Sequence, residues 1–267
     1  MILLGAIFDI KVFWTAMTQS NYSILFVNGR GYTFPMDMFK EMDRRDVMRF
    51  IYVLGVSFLI PHSADPKEIE KLLDNEDREG FYIRFIKPTT PVDPNTWSLK
   101  VGGLCGEPQN FSLAAIRRFP KETQVSRMKC VESWSSKAKW AGFRPKALFD
   151  VVRPLAKARH LFFYSADDYY EYISLEELLK PRVLFAYDMN DGPLPADYGG
   201  PLRLLMPSKY GYKSVKTILR LEFLEAGGTG YWSKYGYSMD ATIEPGTDHA
   251  LDLKDYKQIR KPGETDY

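Results

Sequence analysis

Residues Lys129 to Gly142 read KCVESWSSKAKWAG, and the fold and chemistry of this chain both turn on that stretch. Cys130 ends a strand-like segment and opens a polar turn carrying Glu132, Ser133, Ser135 and Ser136. A thiolate placed there is a soft ligand for a soft metal, or a nucleophile. A thiol in the same place is also a common small core residue, and the stretch alone leaves both readings open. Hydrolysis by a cysteine needs a neighbouring base. None of His62, His160 and His249 has a sequence context that supplies one.

Working outward, strand patterns dominate. Trp97, Leu99 and Val101 alternate with polar residues up to Gly102-Gly103, and Leu219, Leu221 and Phe223 enclose Arg220 and Glu222 in the same way. Phe81 to Ile86, Leu161 to Tyr164 and Leu202 to Met206 also read as strands. Helices are short and carry clear start signals. Asp65-Pro66 opens one that runs to Asn75, Ser112 caps one that ends at Pro120, and Pro145 opens one that ends at Pro154. Ser174 with Glu177 forms a capping box for Leu175 to Leu179. Strands outnumber helices without strict alternation, so the expected class is α+β with mixed or barrel-like sheets and helices in the connections. Gly227 to Gly230 lacks a Walker lysine and reads as a turn between strands. The polar tail, residues 248–267, is expected to lie loosely on the surface.

Composition narrows the function. Lys and Arg number 36 against 34 Asp and Glu, a net charge of +2, which argues against a nucleic-acid partner. Two cysteines make no disulfide framework, and the three histidines lack zinc spacing. Cys105, in a Gly-rich turn, reads as a structural thiol.

The front of the chain has an export pattern. Arg44-Arg45 precedes an apolar run from Phe50 to Ile60, and then Pro61-His62-Ser63-Ala64. That run is too short for a bilayer, which needs about 20 residues, but suits a signal core. Paired arginines ahead of it point to the twin-arginine route and a periplasmic destination. The expected organisation is therefore a non-native extension over 1–35, with translation starting at Met36, Met38 or Met42. A signal segment follows over 36–64, then one domain over 65–247 and the tail.

CVESWS, with Trp140-Ala141-Gly142 ten residues after its cysteine, resembles the sulfite oxidase superfamily of molybdopterin enzymes. The likeness continues through FYIRF at Phe81, WSLKVGG at Trp97, FYSADD at Phe163, GGPLRLLMPSKYGYKSVK at Gly199 and GYWSKYGY at Gly230. It covers Gly80 to Pro245, and its nearest pattern is the branch of periplasmic methionine sulfoxide reductase catalytic subunits. The resemblance implies a molybdenum-molybdopterin cofactor, one pyranopterin per metal, with Cys130 as the protein's ligand to the metal. It implies that Tyr82 and Ile83 lie against the pterin, that Ser165 stands where the family has threonine, and that Arg203 meets the phosphate. It implies that Ser214, Val215 and Lys216 wrap that phosphate and that Trp140 stands near the substrate, while Lys213 reads with Arg203 and Lys216 as a clustered donor. Glu79 and Tyr198 replace asparagines of that branch, and the Tyr198 hydroxyl still offers a donor.

Sulfite oxidases resemble one another in having arginines soon after the cysteine; here the position holds Glu132. The resemblance therefore implies two-electron oxygen-atom transfer with sulfoxides such as methionine sulfoxide, free or protein-bound, reduced by electrons from a membrane haem-containing subunit. Two alternatives stand beside it: a sulfite-oxidising enzyme, and a non-catalytic binding domain of the same fold.

Overall fold

The computed structural model describes residues 12–16, 22–27, 30–35, 80–86 and 92–263. The expected signal segment, the helix over Asp65 to Asn75, and Glu79 lie outside these residues. The chain divides into two compact units, residues 1–71 and 72–267. In the first, β1 (Val12–Ala16), β2 (Tyr22–Val27) and β3 (Arg30–Pro35) pair as an antiparallel meander.

The strands of the second unit are, in chain order, β4 (Ser98–Gly103), β5 (Gln109–Ser112), β6 (Glu122–Lys129), β7 (Trp134–Phe143), β8 (His160–Ser165) and β9 (Tyr170–Ser174). They continue with β10 (Leu184–Met189), β11 (Gly192–Pro193), β12 (Arg203–Leu205), β13 (Ile218–Leu224), β14 (Gly246–Ala250) and β15 (Asp255–Ile259). They form two mixed sheets. One runs β5-β4-β13-β8-β9, with β4 and β13 parallel. The other runs β11-β10-β7-β14-β15, with β12 on β10, β6 on β7, and β14 parallel to β7. Both stay open, so the barrel-like variant of the expected α+β class gives way to two open sheets among the described residues.

Local signals fixed the helices. α1 (Leu113–Ile116) starts where Ser112 Oγ accepts the Ala115 N–H at 3.2 Å, though its regular part stops before Phe119. α2 (Pro145–Val152) opens on Pro145 and stops at Arg153, which takes a left-handed conformation and donates its N–H to Phe149 O. α3 (Leu175–Leu178) is capped by Ser174, whose Oγ accepts the Glu177 N–H at 3.2 Å. Only half of the capping box forms, because the Glu177 carboxylate turns to Lys180 and Lys209.

Two expectations fail. Phe81 to Ile86 joins no ladder. Its backbone is answered by side chains instead: Asp167 accepts the Ile86 N–H at 3.3 Å, and Lys216 donates to the Arg84 carbonyl. Residues 248–259 of the expected tail are not loose, because β14 and β15 extend the second sheet and bury Asp248, Ala250 and Ile259.

The larger core packs Leu99, Leu161, Phe163, Leu221 and Phe223 of the first sheet against Phe143, Phe185 and Leu148. A second, smaller cluster gathers Phe81, Trp134, Trp140, Leu184, Leu205 and Cys130, and it forms the floor of the site. Gly142 explains how tightly β7 meets β10. A Cβ there would sit 1.8 Å from Phe185 O, so only glycine admits the approach.

Candidate active site

Cys130 occupies the first position after β6, and β7 resumes at Trp134. The antiparallel register Lys129↔Ser135 forces the chain to reverse between them. Cys130 N–H donates to Trp134 O at 2.8 Å, and Ser133 takes a positive φ of 63° to complete the reversal. The thiol is thus displayed from a turn fixed by two long strands. Burial, reinforced by the negative charge of Glu132, pushes its pKa up to about 11, against the pull of the Glu132 N–H and the cations Arg84 and Lys129. Without a metal the sulfur keeps its proton at neutral pH; a coordinated cation displaces it.

Glu132 is pinned. Arg84 Nε and Nη2 each reach its Oε2 at 3.1 Å, and Trp134 Nε1 donates to the same oxygen at 3.1 Å. Tyr82 packs on Trp134 with ring centroids 5.0 Å apart, and Arg84 lies over the Tyr82 ring. Ile83 is buried and its carbonyl accepts from Arg84 Nη1 at 2.9 Å. The segment Phe81–Ile86 therefore forms a rim over the cysteine turn.

A second group collects on the segment Gly199–Lys216. Arg203 is buried, and among the described residues its hydrogen bonds go to carbonyls: Tyr198 at 2.7 Å, Ser214 at 3.2 Å and Leu204 at 3.4 Å. Its guanidinium lies over the Trp140 ring at 5.2 Å. Burial alone brings its pKa down to about 9. Lys216 donates to the Arg84 carbonyl and lies 3.5 Å from the centroid of Phe85. Burial first, then the charge of Arg203, brings its pKa down to about 7. Among the described residues neither cation has a carboxylate within ion-pair distance. Two sunken cations side by side without an anion are costly alone, and a phosphate between them would restore both charges. Gly199 (φ +99°) lies against the Lys216 side chain, where a Cβ would come within 2.7 Å.

The other expected residues fall as follows. Ser165 Oγ donates within a buried knot, 2.7 Å from Asp167 Oδ1 and 2.6 Å from the Lys216 carbonyl, so it fastens the Lys216 backbone. Ser214 Oγ accepts the Met206 N–H at 3.0 Å, and Val215 is buried with its carbonyl bonded to Leu204 N–H at 2.8 Å. Tyr198 closes a short 3₁₀ turn and packs edge-on against Phe81. Trp140 is wholly buried, donating from Nε1 to Ser126 O at 3.2 Å; it supports Arg203 from below. Lys213 departs from the cluster's pattern. Its ammonium is 2.9 Å from Glu171 Oε1, with both side chains buried. Arg84, Trp134, Lys129 and Glu171 were not singled out from the sequence. Lys129 and Trp134 lay inside the quoted cysteine stretch without a role of their own, and Arg84 left a trace as the charge inside the apolar FYIRF.

The model of the "Oxidoreductase molybdopterin binding domain" matches residues 87–232, more than half of the chain. The chain belongs to this molybdopterin-binding oxidoreductase family. The matched span carries Cys130, Arg203 and Lys216, and the set above suits its cofactor: one thiol, and two cations short of an anion. Two relatives are each named protein-methionine-sulfoxide reductase catalytic subunit MsrP. The protein from Campylobacter jejuni is 29% identical over 70% of this chain and 72% of its own length. That from Xanthomonas axonopodis pv. citri is 29% identical over 68% of this chain and 65% of its own. Among solved structures, the sulfane dehydrogenase SoxCD from Paracoccus pantotrophus superposes with a TM-score of 0.52 at 16% identity, covering 64% of this chain and 56% of that one. This last likeness shows the fold. The molybdopterin oxidoreductase is therefore an enzyme with the sulfite-oxidase type of two-sheet architecture.

Proposed function

We propose that this molybdopterin oxidoreductase is the exported catalytic subunit of a reductase acting on sulfoxides such as methionine sulfoxide. The observation that carries the reading is Glu132, a carboxylate two residues beyond the cysteine and held in place by Arg84 and Trp134. Its charge is answered by Arg84, so the turn beside the cysteine offers no surplus positive charge with which to hold a small oxyanion. A neutral sulfoxide needs no such charge. The names of the two bacterial relatives support the same substrate class.

In this reading the Cys130 thiolate holds molybdenum. Arg203, Lys216 and the backbone of Ser214 to Lys216 hold the terminal phosphate of a single pyranopterin, with Tyr82, Ile83 and Tyr198 along its length. When bound, the cofactor supplies two-electron oxygen-atom transfer. The chain's own share is to place the sulfur ligand, neutralise the phosphate, and leave the cysteine turn without surplus positive charge through the Arg84–Glu132 pair. Both relatives are named as catalytic subunits, which supports a separate electron donor, here a membrane haem-containing subunit.

Molybdenum content of the purified chain, with and without Cys130→Ala, is the first test: parent protein loads metal and the variant does not. Dye-coupled assays follow, with a reductant against methionine sulfoxide and an oxidant against sulfite. Sulfite oxidation without sulfoxide turnover would overturn the choice. Periplasmic delivery by the twin-arginine route predicts that Arg44→Lys with Arg45→Lys retains the protein in the cytoplasm, and that the mature chain begins near Ala64 or Asp65.

A further inference from the structure

Immediately before the cysteine lies a buried polar network that the site has not used. Lys129 Nζ donates to the Cys130 carbonyl at 3.0 Å and pairs with Asp248 Oδ1 at 2.7 Å, both side chains being buried. Ser135 Oγ donates to the other oxygen of Asp248. Arg127 donates to Ser135 Oγ at 3.0 Å and to both oxygens of Asp252, at 2.6 and 3.0 Å. Asp248 and Asp252 belong to the C-terminal hairpin, which lies beyond the family match and which composition alone marks as a polar tail. The hairpin also grips the cysteine turn by its backbone. His249 N–H donates to Ser133 O at 3.0 Å and Leu251 N–H to Ser135 O at 2.9 Å, the parallel pairing of β14 with β7.

A buried lysine–aspartate pair is weak evidence for stability, since apolar residues of similar size serve as well or better. What such a pair supplies is direction. Lys129 Nζ stands within ion-pair distance of Asp248 Oδ1 while it donates to the Cys130 carbonyl, and a fixed carbonyl fixes the peptide plane from which the cysteine side chain leaves. We propose that Lys129 and Asp248 are positioning residues for Cys130, and that the C-terminal hairpin sets the orientation of the metal-binding sulfur. The proposal rests on Cys130 being the ligand in the reading above. Its test separates the two.

In the full chain, Lys129→Met with Asp248→Asn removes both charges, keeps an acceptor for Ser135, and takes away the donor to Cys130 O. Hydrogen exchange of a peptide covering residues 130–135 should quicken about tenfold, the size of one hydrogen bond to a charged group, while β8 and β13 stay at parental rates. The Mo(V) electron paramagnetic resonance spectrum of the loaded variant, which reports the angle of the sulfur ligand, should shift or broaden. Parental exchange and a parental spectrum would overturn the proposal, and so would faster exchange spread evenly over the whole unit. If the parent chain loads no molybdenum, the functional reading fails while the exchange arm still decides the positioning role. Should the double variant not fold, the parent suffices: residues 130–135 and 246–252 must share one denaturant dependence of exchange. A hairpin that opens while 130–135 stays protected sinks the idea.

Discussion

This unit contains two sets of sunken cations, and they are treated differently. Arg127, Lys129, Lys209 and Lys213 each reach a carboxylate: Asp252, Asp248, Asp240 and Glu171. Among the described residues Arg203 and Lys216 bond to carbonyls and lie against aromatic rings with no carboxylate at ion-pair distance, and burial drags both of their pKa values down. One chain thus contains a worked example of how it balances a buried cation, and two cations it leaves unbalanced. The contrast marks the second set as reserved for an anion that arrives with a ligand. The first set holds the frame.

The largest expected difference comes from breaking a balanced pair. Lys213→Met strands the Glu171 carboxylate, which is fully buried and whose pKa burial already raises. Denaturant unfolding of the cofactor-free chain should show a loss of about 3–5 kcal/mol. The loss should shrink as pH falls and Glu171 takes up a proton. A loss below 1 kcal/mol at neutral pH would erase the distinction between the two sets.

This contrast was only half legible in the sequence, and the reason is distance along the chain. Cys130, Arg203, Ser214 and Lys216 sit inside continuous motifs, so a resemblance carried them together. Ser112, Pro145 and Ser174 act on their immediate neighbours, so helix starts could be read directly. The ion pairs could not. Lys129 meets Asp248 only because β6 and β14, far apart in sequence, both pair with β7, and Lys213 meets Glu171 of β9 from a short 3₁₀ turn about forty residues further along the chain. The hairpin β14–β15 was missed because most of its positions face solvent, so its composition resembles a loose tail. Phe81–Ile86 misled in the opposite sense. Its apolar pattern reflects a segment laid over the site, with side chains rather than a strand answering its backbone.

The unbalanced set has a signature in pH. The depressed pKa of Lys216, about 7 against an ordinary 10.5, means that between those values the folded chain binds fewer protons than the unfolded one. Cofactor-free stability should therefore rise with pH from about 7, by at most about 1.4 kcal/mol per unit. The groups facing Lys216 are Arg203, Arg84, Asp167 and Asp197. Cys130, whose pKa is raised from 9.0 to about 11, works in the opposite direction above 9, so the clean window closes there. Bound phosphate restores the charge of Lys216 and should flatten the slope. A slope that persists in the loaded protein would count against the anion assignment.

Replacing the same residue sharpens the contrast further. Lys216→Met gives up one donor to the Arg84 carbonyl and relieves an unbalanced charge, so the cofactor-free chain should stay within about 1 kcal/mol of the parent. The pH slope should vanish with it. The same substitution at Lys213 costs several times more. A matching loss at both positions would mean that Lys216 is held by the fold and not kept for a ligand.

The smallest effect is expected where pairing occurs without burial. Lys146 and Asp150 lie one turn apart on α2 at 2.7 Å, closer than Lys213 and Glu171, yet both are well exposed. Water already solvates each partner, and lysine ahead of the acid is the poorer order along a helix dipole. Lys146→Ala should change stability by less than about 0.5 kcal/mol, measured by denaturant unfolding beside Lys213→Met. If distance governed these pairs, the exposed one would be the stronger. If removal of water governs them, the ranking reverses, because only a buried carboxylate has nothing to fall back on when its cation is taken away. A loss above 1 kcal/mol at Lys146 would therefore undo the physical basis for reading Arg203 and Lys216 as cations that await an anion.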